Sequence, residues 1–308
     1  MTEKIRGIVL PMPTVFLDDG RVDEKLMREL TDFFLASGVH AFFILGSYGQ
    51  GPAMNPEERK RVAEMVVQQV NHKVPCIVHI GAVDPFTAID LGKHARSIDA
   101  EAIGQVGPYY YADRSEYEII EHFRMVDRAV GMPTLVYNNP RYSGYNIAPA
   151  FMARLVDAVP NIFGAKLAMG SVDEAMAYMK LVRAPFAAFA LASNLVSAMS
   201  VGVAGTISPP LAVTPELGVA LVRAIDAGKA EEALLLQKKV IRIHDIFLRL
   251  AVPFGRTIYT EAMRLRGFPV KMYPRWPSKS LSLEAYDELR DLFFELGIVD
   301  RLAKVKTA

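Results

Sequence analysis

Cysteine is almost absent from this chain: Cys76 stands alone among 308 residues. A single thiol excludes an internal disulfide and a thiolate cluster for structural zinc, and it suits the reducing cytoplasm. An excess of charge of one sign is missing too. Lysine plus arginine number 35 against 34 for aspartate plus glutamate, and no basic run interleaves with aromatics, so nothing pulls the chain toward nucleic acid or an anionic membrane. No uninterrupted apolar run reaches the roughly 20 residues a spanning helix needs, and the start Met1-Thr2-Glu3-Lys4-Ile5-Arg6 lacks an apolar signal segment. His40, His72, His79, His94, His122 and His244 form no H-x-x-x-H or H-x-H pattern, which argues against a metal-dependent barrel lyase or hydrolase. These absences predict a cytoplasmic protein whose ligands are small molecules.

What is present is apolar substance and regular alternation. With 51% apolar residues the chain can build one large core or two ordinary domains. Short β-branched or aromatic runs alternate with longer stretches of helical period, the pattern of a parallel sheet covered by crossover helices. Strands are predicted near Gly7 to Pro11, Ala41 to Leu45, Cys76 to Ile80, Ala102 to Val106, Thr134 to Asn138, Ile162 to Lys166, Phe186 to Ala190 and Val203 to Ile207. Helix starts carry their own signals. Asn55-Pro56-Glu57-Glu58 combines an N-cap side chain, a proline at the first helical position and a glutamate three residues on; Asp84-Pro85 and Thr214-Pro215-Glu216 repeat the device. No strand is followed by a G-x-G-x-x-G turn, and eight regular units suit closure better than an open doubly wound sheet. The expectation is a (β/α)8 barrel over residues 1–228 and a C-terminal helical extension over 229–308, with helices at Lys229 to Leu250, Arg256 to Leu265 and Leu283 to Leu296.

In such a barrel the chemistry sits at the C-terminal ends of the strands. Polar candidates there are Gly46-Ser47-Tyr48-Gly49-Gln50 after strand two, Pro108-Tyr109-Tyr110 after strand four, Tyr137-Asn138-Asn139-Pro140 at strand five and Lys166 on strand six. Lys166 lies in the apolar run Ile162-Phe163-Gly164-Ala165-Lys166-Leu167 with no acidic neighbour in sequence. Burial favours a neutral amine, which is how a lysine becomes nucleophilic toward a carbonyl; taken alone, the side chain could equally snorkel to water or pair with a distant carboxylate. Tyr137 could carry a proton or simply end a strand as a core aromatic. Ser47 could relay a proton or belong to an ordinary tight turn.

At these residues the chain resembles the dihydrodipicolinate synthase and N-acetylneuraminate lyase family over nearly its whole length. The family order is Gly-Ser/Thr-Thr-Gly-Glu after strand two, Pro-Tyr-Tyr after strand four, Tyr-Asn-x-Pro at strand five and Gly-x-Lys at strand six; residues 46–50, 108–110, 137–140 and 164–166 follow it. The resemblance implies that Lys166 forms the imine with pyruvate or another 2-keto acid, that Tyr137 is the acid/base, and that Ser47 is the relay hydroxyl. It further implies that Tyr110 completes the relay across a subunit contact and that Ile207 lines the pocket. It also implies a homo-oligomer, commonly a tetramer built as a dimer of dimers, with no metal or organic cofactor.

Departures bear on the substrate. Tyr48 stands where the family usually has a threonine that binds the keto-acid carboxylate, leaving its backbone N–H for that task, and Gln50 replaces the usual glutamate. Five residues after Tyr137, where the lysine-biosynthetic synthase has an arginine for its second substrate, this chain has Tyr142, with Arg141 one residue early; a one-residue shift redirects the side chain. These changes argue against dihydrodipicolinate synthesis. They leave an aldolase joining or splitting pyruvate and an aldehyde, a dehydratase of a hydroxylated keto acid using the same imine, and a non-catalytic keto-acid-binding member. Tyr48, Tyr142, Phe254 and Lys271-Met272-Tyr273 are candidates for an aromatic distal pocket.

Overall fold

The computed structural model describes residues 5–168, 171–271 and 279–299. Eight parallel strands close into one barrel in sequence order: β1 (Gly7–Pro11), β2 (Ala41–Ile44), β3 (Cys76–His79), β4 (Ala102–Val106), β5 (Thr134–Asn138), β6 (Ile162–Leu167), β7 (Ala187–Ala190) and β8 (Gly205–Thr206). The architecture is the expected (β/α)8 barrel followed by C-terminal helices. β8 is the shortest strand, so Ile207 follows it rather than belonging to it.

Alternation along the strands sorts the side chains. Val9, Phe43, Ile77, Leu135, Tyr137, Phe189 and Ile207 fill the barrel interior, while Leu10, Phe42, Ile44 and Val78 face the helices in a separate apolar layer. Strand β6 breaks this period. Its register against β5 slips between Thr134 and Leu135, where the partner moves from Ile162 to Gly164. The extra residue lets Phe163 enter the interior cluster while Ala165 and Leu167 turn outward, which leaves Lys166 on the inner face. Gly164 is required at this slip, because a Cβ there would lie 2.2 Å from the Ala187 carbonyl oxygen.

Helix starts follow the sequence signals in two of three cases. Asn55 accepts from the Glu58 N–H and Glu58 reaches back to the Asn55 N–H, a complete capping box. Asp84 accepts from the Thr87 N–H. Thr214 does not cap: its hydroxyl donates to the Pro210 carbonyl in the short preceding helix, so the helix Pro215–Asp226 begins without a side-chain cap.

After β8 the chain continues in helices Ala230–Phe254, Thr257–Leu265 and Leu283–Glu295. They join the same apolar layer as the barrel helices, through Ile243, Phe247, Leu250, Ile258, Met263 and Phe293. Polar ties fix the docking. Buried Gln237 donates to the Ala192 carbonyl at 2.9 Å and accepts from the Val196 N–H at 3.0 Å, which pins the long helix to the loop after β7. Arg266 donates to the Val213 carbonyl. No described helix is long and apolar enough to cross a membrane.

Candidate active site at the strand ends

The ladder between β5 and β6 pairs Tyr137 with Lys166, and the ladder between β6 and β7 pairs Lys166 with Phe189. Paired residues of adjacent parallel strands point to the same face, so the phenol and the amine project side by side into the barrel mouth. Lys166 Nζ lies 4.1 Å from the Tyr137 ring centre and 5.2 Å from that of Phe43, contacts in which the ring faces attract an ammonium.

Tyr137 is buried, and its hydroxyl is shared. Ser47 Oγ lies 3.1 Å from it across the mouth, with either oxygen able to donate, and Asn139 Nδ2 donates to it at 3.2 Å. Burial pushes the phenol up, but the positive charge of Lys166, with hydrogen bonds from Ser47, Asn139 and Lys166, outweighs it and brings Tyr137 below the ordinary range for tyrosine. His79 packs edge to face on both Phe43 and Tyr137. Burial above all, then the charges of Arg59 and Lys166, hold His79 well below the usual imidazole range, so it stays neutral.

The loop after β2 carries Ser47 and Tyr48 into different surroundings. Ser47 faces Tyr137, whereas the Tyr48 ring turns away into the apolar layer of the C-terminal helices and packs edge to face on Tyr259 at 5.0 Å. Tyr142 does reach the site: its ring lies 6.3 Å from that of Tyr137, and its hydroxyl accepts from Arg256 Nη2 at 2.5 Å. Ile207 is buried in the barrel interior beneath. Tyr110 is not at its own chain's lysine; it is 80% exposed, with a left-handed φ of 79° and its ring against Tyr111.

The remaining described distal-pocket candidates have other partners. Phe254 sits beneath the Lys279 ammonium on the C-terminal helices, Lys271 pairs with Asp18, and Met272 and Tyr273 lie outside the described residues. Arg141 is exposed, as its one-residue displacement predicts. Sequence reasoning missed Asn139 as a partner of the Tyr137 hydroxyl, His79 as its neighbour, and Arg256, which reaches the site from the far end of the chain. The signal for Arg256 was the Pro253-Phe254-Gly255 interruption just before it. Among the described residues no three His, Cys, Asp or Glu side chains gather in a way that could hold a metal ion.

A closed parallel barrel whose strand ends gather an amine, a phenol and a hydroxyl has the form of a barrel enzyme. The chain belongs to the dihydrodipicolinate synthetase family, whose model matches residues 4–295. Among curated relatives it is 32% identical over 303 residues to a protein of Escherichia coli K12 named "Probable 2-dehydro-3-deoxy-D-pentonate aldolase YjhH", covering 96% of this chain and 99% of that one. It is 34% identical over 248 residues to the 4-hydroxy-tetrahydrodipicolinate synthase of Geotalea daltonii, covering 78% and 82% respectively. Among solved structures, YagE of Escherichia coli K12, described in complex with pyruvate, superposes with a TM-score of 0.88 at 28% identity over 95% of this chain and 99% of that one. These relatives are aldolases and synthases, and the chain is an enzyme of the lyase type.

Proposed function

We propose that this enzyme is a carbon–carbon lyase that cleaves or condenses pyruvate, or a related 2-keto acid, with an aldehyde through a Schiff base on Lys166. The observation that carries this reading is the paired projection of Lys166 and Tyr137, with the phenol held on Ser47. In the cleavage direction the amine of Lys166 adds to the C2 carbonyl and water leaves, giving a protonated imine that withdraws electrons from the adjacent carbons. Tyr137 as phenolate takes the proton of the C4 hydroxyl, the C3–C4 bond breaks, and the electron pair moves into an enamine as the aldehyde departs. Protonation at C3 and hydrolysis return pyruvate and the free lysine. The N–H groups of Ser47 and Tyr48 hold the keto-acid carboxylate, and Ile207 forms the wall below it.

Tyr110 fits the same scheme as a residue offered to a neighbouring copy, since a large ring held in a strained backbone conformation at the surface gains from being covered. The assembly is then a homo-oligomer, a dimer of dimers, in which Tyr110 of one copy extends the proton relay of another. Light scattering coupled to gel filtration checks the stoichiometry, and a monomer with full activity overturns this role.

Incubation with pyruvate and borohydride, followed by peptide mass spectrometry, tests the imine. The expected result is an irreversible adduct on Lys166 in the native enzyme and none in Lys166→Ala. Equal trapping in both removes Lys166 from the mechanism. Substrate screening then separates the two bond-breaking outcomes: 2-keto-3-deoxy sugar acids should yield pyruvate plus an aldehyde, while a keto acid lighter by one water indicates a dehydratase. Keto-acid binding without turnover of any hydroxylated keto acid indicates a binding protein instead.

A further inference from the structure

We propose that Arg256 is a positioning residue for the keto-acid carboxylate, acting through the peptide between Ser47 and Tyr48; this rests on the Schiff-base reading above. The long helix Ala230–Phe254 carries Pro253 in its last turn and stops at Gly255. Gly255 takes φ 63° and ψ −143°, yet a Cβ there would meet nothing within 4 Å. Glycine is therefore needed for the direction of the backbone and not for room. That turn delivers Arg256 to the head of helix Thr257–Leu265, facing the barrel mouth rather than the solvent beyond the helices.

The guanidinium then ties two loops of the barrel mouth together. Nη1 donates to the Ser47 carbonyl oxygen at 2.8 Å, and Nη2 donates to the Tyr142 hydroxyl at 2.5 Å. A trans peptide is planar, so the Ser47 carbonyl and the Tyr48 N–H lie in one plane and point in opposite directions. Holding the carbonyl on one side fixes where the N–H is presented on the other. A charge-assisted bond to the carbonyl also draws electron density from the amide and makes its N–H a stronger donor. Ser47 carries the hydroxyl that meets Tyr137, so one cation steadies both the carboxylate cradle and the relay oxygen. The Tyr142 arm keeps the guanidinium in place from the loop after β5. In this way the C-terminal helices contribute to the site through Ser47 and Tyr142.

The test compares native enzyme with Arg256→Met, Arg256→Lys and Tyr142→Phe, reading both the pyruvate concentration that half-saturates borohydride trapping and the maximum trapped. Arg256→Met should raise the half-saturating concentration about tenfold or more, the scale of one lost charge-assisted hydrogen bond, with the same maximum at saturating pyruvate. Arg256→Lys should fall between, because an ammonium cannot span both acceptors. Tyr142→Phe keeps the Ser47 bond and should stay within about threefold. A folded Arg256→Met enzyme with unchanged half-saturation overturns the proposal, as does one that loses only the maximum. If the native enzyme is not trapped at all, the imine reading fails instead. The thermal shift that pyruvate gives native and Arg256→Met protein then tests the clamp alone, and equal shifts overturn it.

Discussion

Two sectors of the barrel mouth bury titratable groups, and they treat them differently. Over β2, β5 and β6 the polar atoms meet other side chains: the Tyr137 hydroxyl lies between Ser47 and Asn139 with Lys166 beside it. Over β3 and β4 they meet backbone. Arg59, 4% exposed, donates to the His79 and Gly81 carbonyls, His79 Nε2 accepts from the Val106 N–H, and Tyr145 donates to the Pro108 carbonyl. In the first sector the charge of Lys166 and the hydrogen bonds around the hydroxyl outweigh burial and bring a phenol below the ordinary tyrosine range. In the second, burial locks each group into one state: it lowers His79 and His122 and raises Tyr109 and Tyr145. The first sector gathers side-chain groups that can share a proton; the second sets most of its polar atoms against backbone and keeps its titratable groups in one state.

The most severe way to break this contrast is Tyr137→Phe. It should lower turnover by about 10²- to 10⁴-fold, the usual worth of a positioned acid/base, while trapping of pyruvate on Lys166 persists. The native cleavage rate should rise with pH through the lowered phenol, and that limb should vanish in the variant; a variant with the same pH profile removes Tyr137 from proton transfer.

The second sector should register in stability instead. Burial, assisted by the charge of Arg114, takes His122 from 6.5 down to about 4. Between those values the unfolded chain binds a proton that the folded chain refuses, so stability falls as the pH drops from 6.5 toward 4, by up to about 3 kcal/mol. Urea midpoints measured at pH 7.5 and 4.5 should differ less in His122→Phe than in the native enzyme, with turnover per folded molecule unchanged.

Gly164→Ala sharpens the comparison by disturbing the strand that carries Lys166. The added methyl must displace the Ala187 carbonyl, a cost of about 1–3 kcal/mol, visible as a lower melting temperature together with slower trapping. The smallest effect is expected from His79→Gln. Its ring packs on Tyr137 but burial holds it neutral, with Nε2 already engaged by the Val106 N–H, so turnover should stay within about tenfold; a loss as large as that of Tyr137→Phe would erase the distinction between the sectors.

The barrel was legible because its signals are local. Strand composition, alternation and the caps at Asn55 and Asp84 each depend on a few consecutive residues, and seven of the eight strand positions agree to within about a residue at either end. Thr214 misled because a proline four residues before it offers a carbonyl that competes for its hydroxyl. Within the site, Lys166, Tyr137 and Ser47 could be listed from strand ends, but their contact depends on register, and Gly164 marks a bulge in β6 without saying which way Lys166 then turns. Tyr48 was expected near the substrate, with its ring in a distal pocket, yet the ring packs on Tyr259, a partner more than two hundred positions away in the chain. Arg256 has distant partners too, Ser47 and Tyr142, and the interruption before it marks a turn without saying what the turn delivers.

The pairing of Tyr137 with Lys166 is made by the hydrogen-bonded ladder of two adjoining strands, whereas Ser47, Tyr48 and Arg256 hang from connecting segments and Tyr142 from the one-turn helix Pro140–Ser143. The spacing of phenol and amine therefore rests on the barrel wall itself. Loops can be lengthened, exchanged or re-tied to the C-terminal helices without altering it, so under the proposed reaction one lineage can change the aldehyde it accepts while keeping the bond it breaks.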